Sequence, residues 1–277
     1  MQVDFGRTAV DYGAHRAGFP ERLFLRLQRL GIGLAGQSLL DLGTGTGALA
    51  RQFSRQGCGV TGADISLALL EEAERLARQE GLKIAWVQGR AEETGLPSAS
   101  FDVVSAGQCW HWFERSRAAA EVHRLLRPGG SLLIAHFDWL SRPGNLVEAS
   151  VKLAMLQRDT PPPAQLSVGI RGTYSLWLEE VEAAGFTDLE TSSFDVEVPY
   201  SQVSWRGRMR ASALLGATMP QERVEAFDRA LAALLTQQDA ETLLVPHGST
   251  TRSTSCVRVV SLLGQSGSAC ARCWTPN

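Results

Sequence analysis

The chain has 277 residues, 44% of them hydrophobic and 20% charged, which is enough apolar material for one large core. Its formal net charge of -2 and pI near 6.2 lack the basic excess that accompanies binding to a phosphate backbone, so a nucleic-acid partner is disfavoured. No run reaches membrane-spanning length, Asp4, Arg7, Asp11 and Arg16 interrupt the N-terminal apolar residues, and the five cysteines are odd in number; the expectation is reduced thiols, no signal peptide, no membrane segment and a cytoplasmic location.

In chain order, SLLDLG (38–43) reads as a first buried strand, and a helix over about 46–56 ends at Gly57. GVTGAD (59–64) is a second strand. Ser66 then caps a helix in which Leu69, Leu70, Ala73, Leu76 and Ala77 recur at three- and four-residue spacing until Gly81. KIAWVQG (83–89), FDVVSAG (101–107) and SLLIAHF (131–137) are strands three to five, with a helix over about 114–126 and the turn Arg127-Pro128-Gly129-Gly130 before the fifth. This alternation predicts an α/β fold, a doubly wound and mostly parallel sheet covered by helices on both faces. Beyond 138 the rhythm changes to helical additions: a helix near 145–158, a break at Pro161-Pro162-Pro163, and a helix near 174–184. Strand character follows over 188–200, then helices near 201–215 and 220–237.

The chemistry concentrates in Asp41-Leu42-Gly43-Thr44-Gly45-Thr46-Gly47, at the junction of the first strand and its helix, where glycine lets backbone amides approach a ligand. Gly43, Gly45 and Ala48 also satisfy the dinucleotide pattern G-x-G-x-x-G/A, and Asp64, about twenty residues on, is placed to hold a ribose hydroxyl pair in either reading. Asp41 separates the two. A carboxylate two residues before the first glycine repels a pyrophosphate and attracts an ammonium group.

With the acidic Asp64, the GRAEETGLP segment, FDVVSAGQCWHWF and LLRPGG, the run DLGTGTGALA resembles the class I S-adenosylmethionine-dependent methyltransferases of the small-molecule, type 11-like kind, over roughly residues 1–247. The resemblance implies a single domain with three parts: an N-terminal lid and helix (1–37), a cofactor-binding core (38–137), and substrate-side helices with a sixth strand (138–247). It implies that the loop with Asp41, Gly43, Thr44, Gly45 and Gly47 wraps the amino-acid part of the cofactor, that Asp64 grips the ribose, and that Ile65 packs on the adenine. Ala91 and Glu92 then edge the adenine. Arg90 stands where relatives often have Asp, so a backbone contact from Ala91 replaces a side-chain one. Tyr12, His15 and Arg16 resemble a lid that closes over the cofactor, with Arg16 reaching it. Two further readings stay open: a non-catalytic cofactor-binding partner protein, and an NAD-dependent oxidoreductase.

In open parallel sheets, ligands bind beyond the carboxyl ends of the strands, so Gln108 to Phe113 is expected to face the transferring methyl. His111 is the candidate general base; the competing reading is that Trp110 and Trp112 pack against the next helix while His111 makes one structural hydrogen bond. Trp139, Trp177 and Trp205 fall where relatives line the acceptor pocket, and Arg206, Arg208 and Arg210 read either as an anion-binding set there or as a solvated helix face. His123 and His136 read as a helix surface and a strand end, Cys58 and Cys109 as packing residues, and Cys270 and Cys273 as an incidental pair, so no metal is expected.

The resemblance stops after His247, where relatives continue into a closing antiparallel strand. Here 248–255 reads GSTTRSTS, and 248–277 reads as a divergent tail, as a reading-frame change would leave, poorly ordered beyond 263. Within it, CVRVVSLL (256–263) is a candidate substitute strand.

Overall fold

The computed structural model describes residues 9–15, 18–159, 161, 175–237, 242–248 and 257–261. The segment from 38 to 135 alternates strand and helix: β1 Ser38–Leu42, α3 Ala48–Arg55, β2 Gly59–Asp64, α4 Leu67–Gln79, β3 Ala85–Gln88, β4 Phe101–Gly107, α5 Arg115–Leu125 and β5 Leu126–Ala135. Ahead of it lie α1 Ala9–His15 and α2 Glu21–Arg29. Behind it come α6 Leu146–Leu156, α7 Ser175–Ala183, β6 Thr187–Ser192, β7 Val196–Ser201, α8 Gln202–Arg210, α9 Gln221–Thr236, β8 Thr242–His247 and β9 Val257–Ser261.

The main sheet runs in the order β3-β2-β1-β4-β5-β9-β6, the first five strands parallel and β9 antiparallel to both neighbours. Side chains alternate across it with the period of two that a strand imposes. Leu40, Leu42, Val104, Ala106, Leu132 and Ile134 face Ala118, Val122 and Leu125 of α5 and Trp177 of α7. Leu39, Val103, Leu133 and Ala135 face Leu23, Phe24 and Leu27 of α2 and Phe53 of α3. Strands buried on both faces read as unbroken apolar runs, and helices on both sides are the consequence. A third cluster, with Tyr200, Trp205, Met209, Phe227, Leu231 and Val245, belongs to the helical additions.

The Ser66 cap is present, its hydroxyl accepting from the Leu69 amide at 3.4 Å. Three boundaries differ from expectation. The run 188–200 is two strands: β6 enters the main sheet, and β7 pairs with β8 in a separate two-stranded sheet. The fifth strand starts at Leu126, taking in the Arg127-Pro128-Gly129-Gly130 turn, and the helix expected near 201–215 ends at Arg210.

Within the stretch from 248, the candidate substitute strand is present over residues 257–261. Val257–Ser261 pairs with β5 on one side and β6 on the other, as the substitute strand. Two exposed edges demand a partner, and a β-branched run is what fits between them. Residues 262–277 lie outside the described residues, as do Arg16 and most of the proline break. No helix among the described residues is long and apolar enough to cross a membrane.

Candidate active site

At the carboxyl end of β1, Asp41 is buried, 2% exposed, and pinned from two sides. Its Oδ1 accepts from the Ser105 hydroxyl on β4 at 2.6 Å, and its Oδ2 from the Thr44 hydroxyl at 2.7 Å. Burial pushes its carboxyl up to about 6, against those two hydrogen bonds, which favour the charged form. Asp64 at the end of β2 closes the loop from the other side, accepting from the Gly45 amide and the Ser66 amide, each at 2.9 Å. Burial raises its pKa as well. Thr44 ties the loop to β2 through its amide, which donates to the Ala63 carbonyl at 3.0 Å.

Gly43 and Gly47 have φ values of 59° and 77°. A Cβ on Gly43 would lie 2.8 Å from Cys109, and one on Gly47 2.9 Å from the Trp86 ring. These two glycines therefore serve close packing of the loop as well as ligand access. Gly47 also opens α3, so the positive end of that helix lies at the loop.

The remaining expected residues occupy distinct positions. Ile65 is 62% exposed directly beyond Asp64, an uncovered apolar side chain next to that buried carboxylate. Ala91 packs in the core cluster that includes Leu42 and Ala63. Glu92 accepts from the Glu114 amide at 2.8 Å and lies 3.4 Å from Arg90 Nε, so its carboxylate supports the start of α5. Gln108 has a left-handed backbone, φ 65°, held by its amide on the Ala135 carbonyl at 2.8 Å and its side chain on the Phe137 carbonyl. That turn bends the chain from the end of β4 into a single 3-10 turn, Trp110–Trp112, which carries His111.

The lid segment is partly described. α1 lies against both α4 and α8. Asp11 accepts from Arg210 Nε at 2.9 Å and Nη2 at 3.1 Å, while His15 occupies the space a Cβ of Gly207 would need. Thus α1 straps the α/β core to the helical additions.

The solvated-face reading of the three arginines does not hold. Arg208 is 4% exposed, lies 4.1 Å from the centre of the Trp139 ring and donates to Asp138 at 3.1 Å. Arg206 and Arg210 share Asp228. Charge pattern on one helix cannot reveal partners contributed by 138 and 228.

A family model described as Methyltransferase domain matches residues 40–134. An uncharacterized methyltransferase of Mycobacterium tuberculosis is 34% identical over 132 residues, 48% of this chain and 51% of that protein. The match thus spans about half the length of that relative. The demethylmenaquinone methyltransferase of Thermus thermophilus is 32% identical over 166 residues, 57% of this chain and 74% of the relative.

The chain belongs to the class I S-adenosylmethionine-dependent methyltransferase family.

A solved structure of an Anaeromyxobacter dehalogenans protein, provisionally described as a type II methyltransferase, superposes with a TM-score of 0.60 at 24% identity, covering 90% of this chain and 98% of that one. At that identity the likeness concerns the fold. It agrees with the parallel sheet found here.

The residues present suit this methyltransferase family's cofactor: two buried carboxylates, the start of α3 and an exposed isoleucine. The sequence gives no functional signal for three participants. Ser105 and Trp86 come from neighbouring strands, and their only sequence signal is alternation, which does not say what they touch. His136, read as a strand end, stands beside His111 with ring centres 5.5 Å apart. Its signal was the position just after the fifth strand, next to the end of the fourth.

Proposed function

We propose that this chain transfers a methyl group from S-adenosylmethionine to a small-molecule acceptor seated beyond the carboxyl ends of β4 and β5. The observation that carries the reading is Asp41, buried beneath the glycine loop and linked through Thr44 to it. A second carboxylate, Asp64, binds the same loop. Two negative charges under the loop disfavour a pyrophosphate and favour a ligand with an ammonium group, while the start of α3 favours its carboxylate. A methionine moiety carries both.

In this reading Asp64 flanks the ribose side, Ile65 covers the adenine face, and Ala91, Glu92, Gln108 and Arg16 complete the cofactor site as the family resemblance implies. Bound there, the cofactor supplies an already activated methyl group. The protein's own task is alignment of the acceptor and, for a protic acceptor, proton removal by His111. The Thermus relative named for demethylmenaquinone supports a small-molecule acceptor.

Calorimetry with S-adenosylhomocysteine and NADH, followed by label transfer from methyl-tritiated S-adenosylmethionine to a metabolite extract, tests the proposal. Binding of S-adenosylhomocysteine together with labelled product supports it. Binding without any product assigns a non-catalytic cofactor-binding role, and a preference for NADH assigns an oxidoreductase.

A further inference from the structure

Strands β4 and β5 run side by side and end together, Gly107 opposite Ala135. The chain beyond each end then presents a histidine to the same space, His111 from the 3-10 turn and His136 directly after β5. Their ring centres are 5.5 Å apart at 45°. Outside them stand two indoles: Trp112 is 4.9 Å from His111, and Trp177 is 5.1 Å from His136. The four rings form one row, tryptophan, histidine, histidine, tryptophan. His136 is 9% exposed and Trp177 2%, so half of the row is buried.

This arrangement suits one positive charge and not two. A protonated imidazole on either histidine lies within about 6 Å of an indole, where the ring's quadrupole favours a cation. Two imidazolium rings in contact repel each other.

Resting on the methyl-transfer reading above, we propose that His111 and His136 form a two-histidine proton relay and that the acceptor is a protic nucleophile, a hydroxyl or an N–H group. As the acceptor atom bonds to the methyl carbon, the carbon–sulfur bond breaks with its electron pair on sulfur. The acceptor's proton goes to a ring nitrogen of His111. The positive charge lost by the sulfonium reappears on the imidazole pair, and no further reactant is needed. His136 acts through His111 and is a positioning residue. A thioether or a carboxylate acceptor, which has no proton to lose, would make no use of the pair.

The test compares wild type with His111→Ala, His136→Phe and His136→Asn. Label transfer is read from methyl-tritiated S-adenosylmethionine to the low-molecular-weight fraction of a cell extract, with and without added imidazole. Calorimetry with S-adenosylhomocysteine checks that each variant keeps the cofactor site. The expected result is unchanged S-adenosylhomocysteine affinity throughout and a rate lower by about 10²-fold or more in His111→Ala, partly restored by imidazole. In His136→Phe, which keeps a packed ring, kcat falls while the KM for S-adenosylmethionine holds. A wild-type rate in both His136 variants overturns the relay. Independently of any acceptor, ring-nitrogen resonances of ¹⁵N-histidine protein report which nitrogen of His111 carries the proton. A change in that tautomer between wild type and His136→Phe supports the pairing, and identical resonances overturn it. Wild type that binds S-adenosylhomocysteine but transfers no label sinks the methyl-transfer reading instead, and the histidine pairing is then decided by the resonances.

Discussion

Asp41 carries a clear pH consequence. Its carboxyl ionises at 3.8 in an ordinary setting and at about 6 in the fold, because burial disfavours the charge. Between those values the native chain keeps a proton that the unfolded chain has lost. Stability therefore falls as pH rises across that window, by up to about 3 kcal/mol in total. Urea unfolding of wild type and Asp41→Asn at several pH values should give a difference that shifts in favour of Asn from about pH 4 to 6 and then levels; a constant difference would refute it. An ammonium group near the loop lowers the Asp41 pKa, so S-adenosylhomocysteine binding near pH 6 should release a proton. Calorimetry in buffers of different ionisation enthalpy measures this, and proton uptake contradicts the placement.

Asp64 gives a second prediction at the same scale. Its two oxygens hold the amides of Gly45 and Ser66, so Asp64→Ala removes loop support together with any ribose contact. S-adenosylhomocysteine affinity should weaken by about 1 to 3 kcal/mol, with a lower unfolding midpoint. Full affinity in a folded variant removes Asp64 from the site. Asp41, Asp64 and the glycines were legible in the sequence because their chemistry and spacing lie within a few residues of a strand end. Ser105 was not, since its bond to Asp41 spans 64 positions.

At the scale of elements, α1 is the joint between the two halves. Asp11 on α1, Arg210 on α8 and Asp228 on α9 form one ion-pair network. Gly207 admits the His15 ring. Gly207→Ala improves the intrinsic helix propensity of α8 by about 1 kcal/mol yet blocks the docking of α1. The expected outcome is an intact α8 with faster amide hydrogen exchange over residues 9–15. Protection of α1 equal to wild type would show that the strap does not depend on this contact. The core helices follow from periodicity in the sequence, and the N-terminal helix only from the family resemblance; that α1 rests on both α4 and α8 follows from neither, because one helical stretch is compatible with many partners.

The whole molecule depends on β9. Inserted between β5 and β6, it covers two sheet edges that otherwise present open backbone groups. Deleting residues 249–277 should lower the urea midpoint and raise light scattering, while S-adenosylhomocysteine affinity persists in the folded fraction, because the loop lies at β1 and β2. An unchanged midpoint would mean that β9 contributes nothing to the sheet.

By itself the sequence determined the parallel α/β core and the acidic glycine loop, since strand and helix periods and turn residues are local signals that physical chemistry reads over a few residues; the family followed from the resemblance of its motifs. Tertiary structure alone decided that 188–200 divides between two sheets, that Arg208 is buried on Trp139, that Val257–Ser261 closes the sheet, and that His136 meets His111. Each of these is a contact between segments distant in the chain. Which partner a strand edge, a cation or a ring acquires is fixed only when the chain closes on itself and competing burials are resolved together.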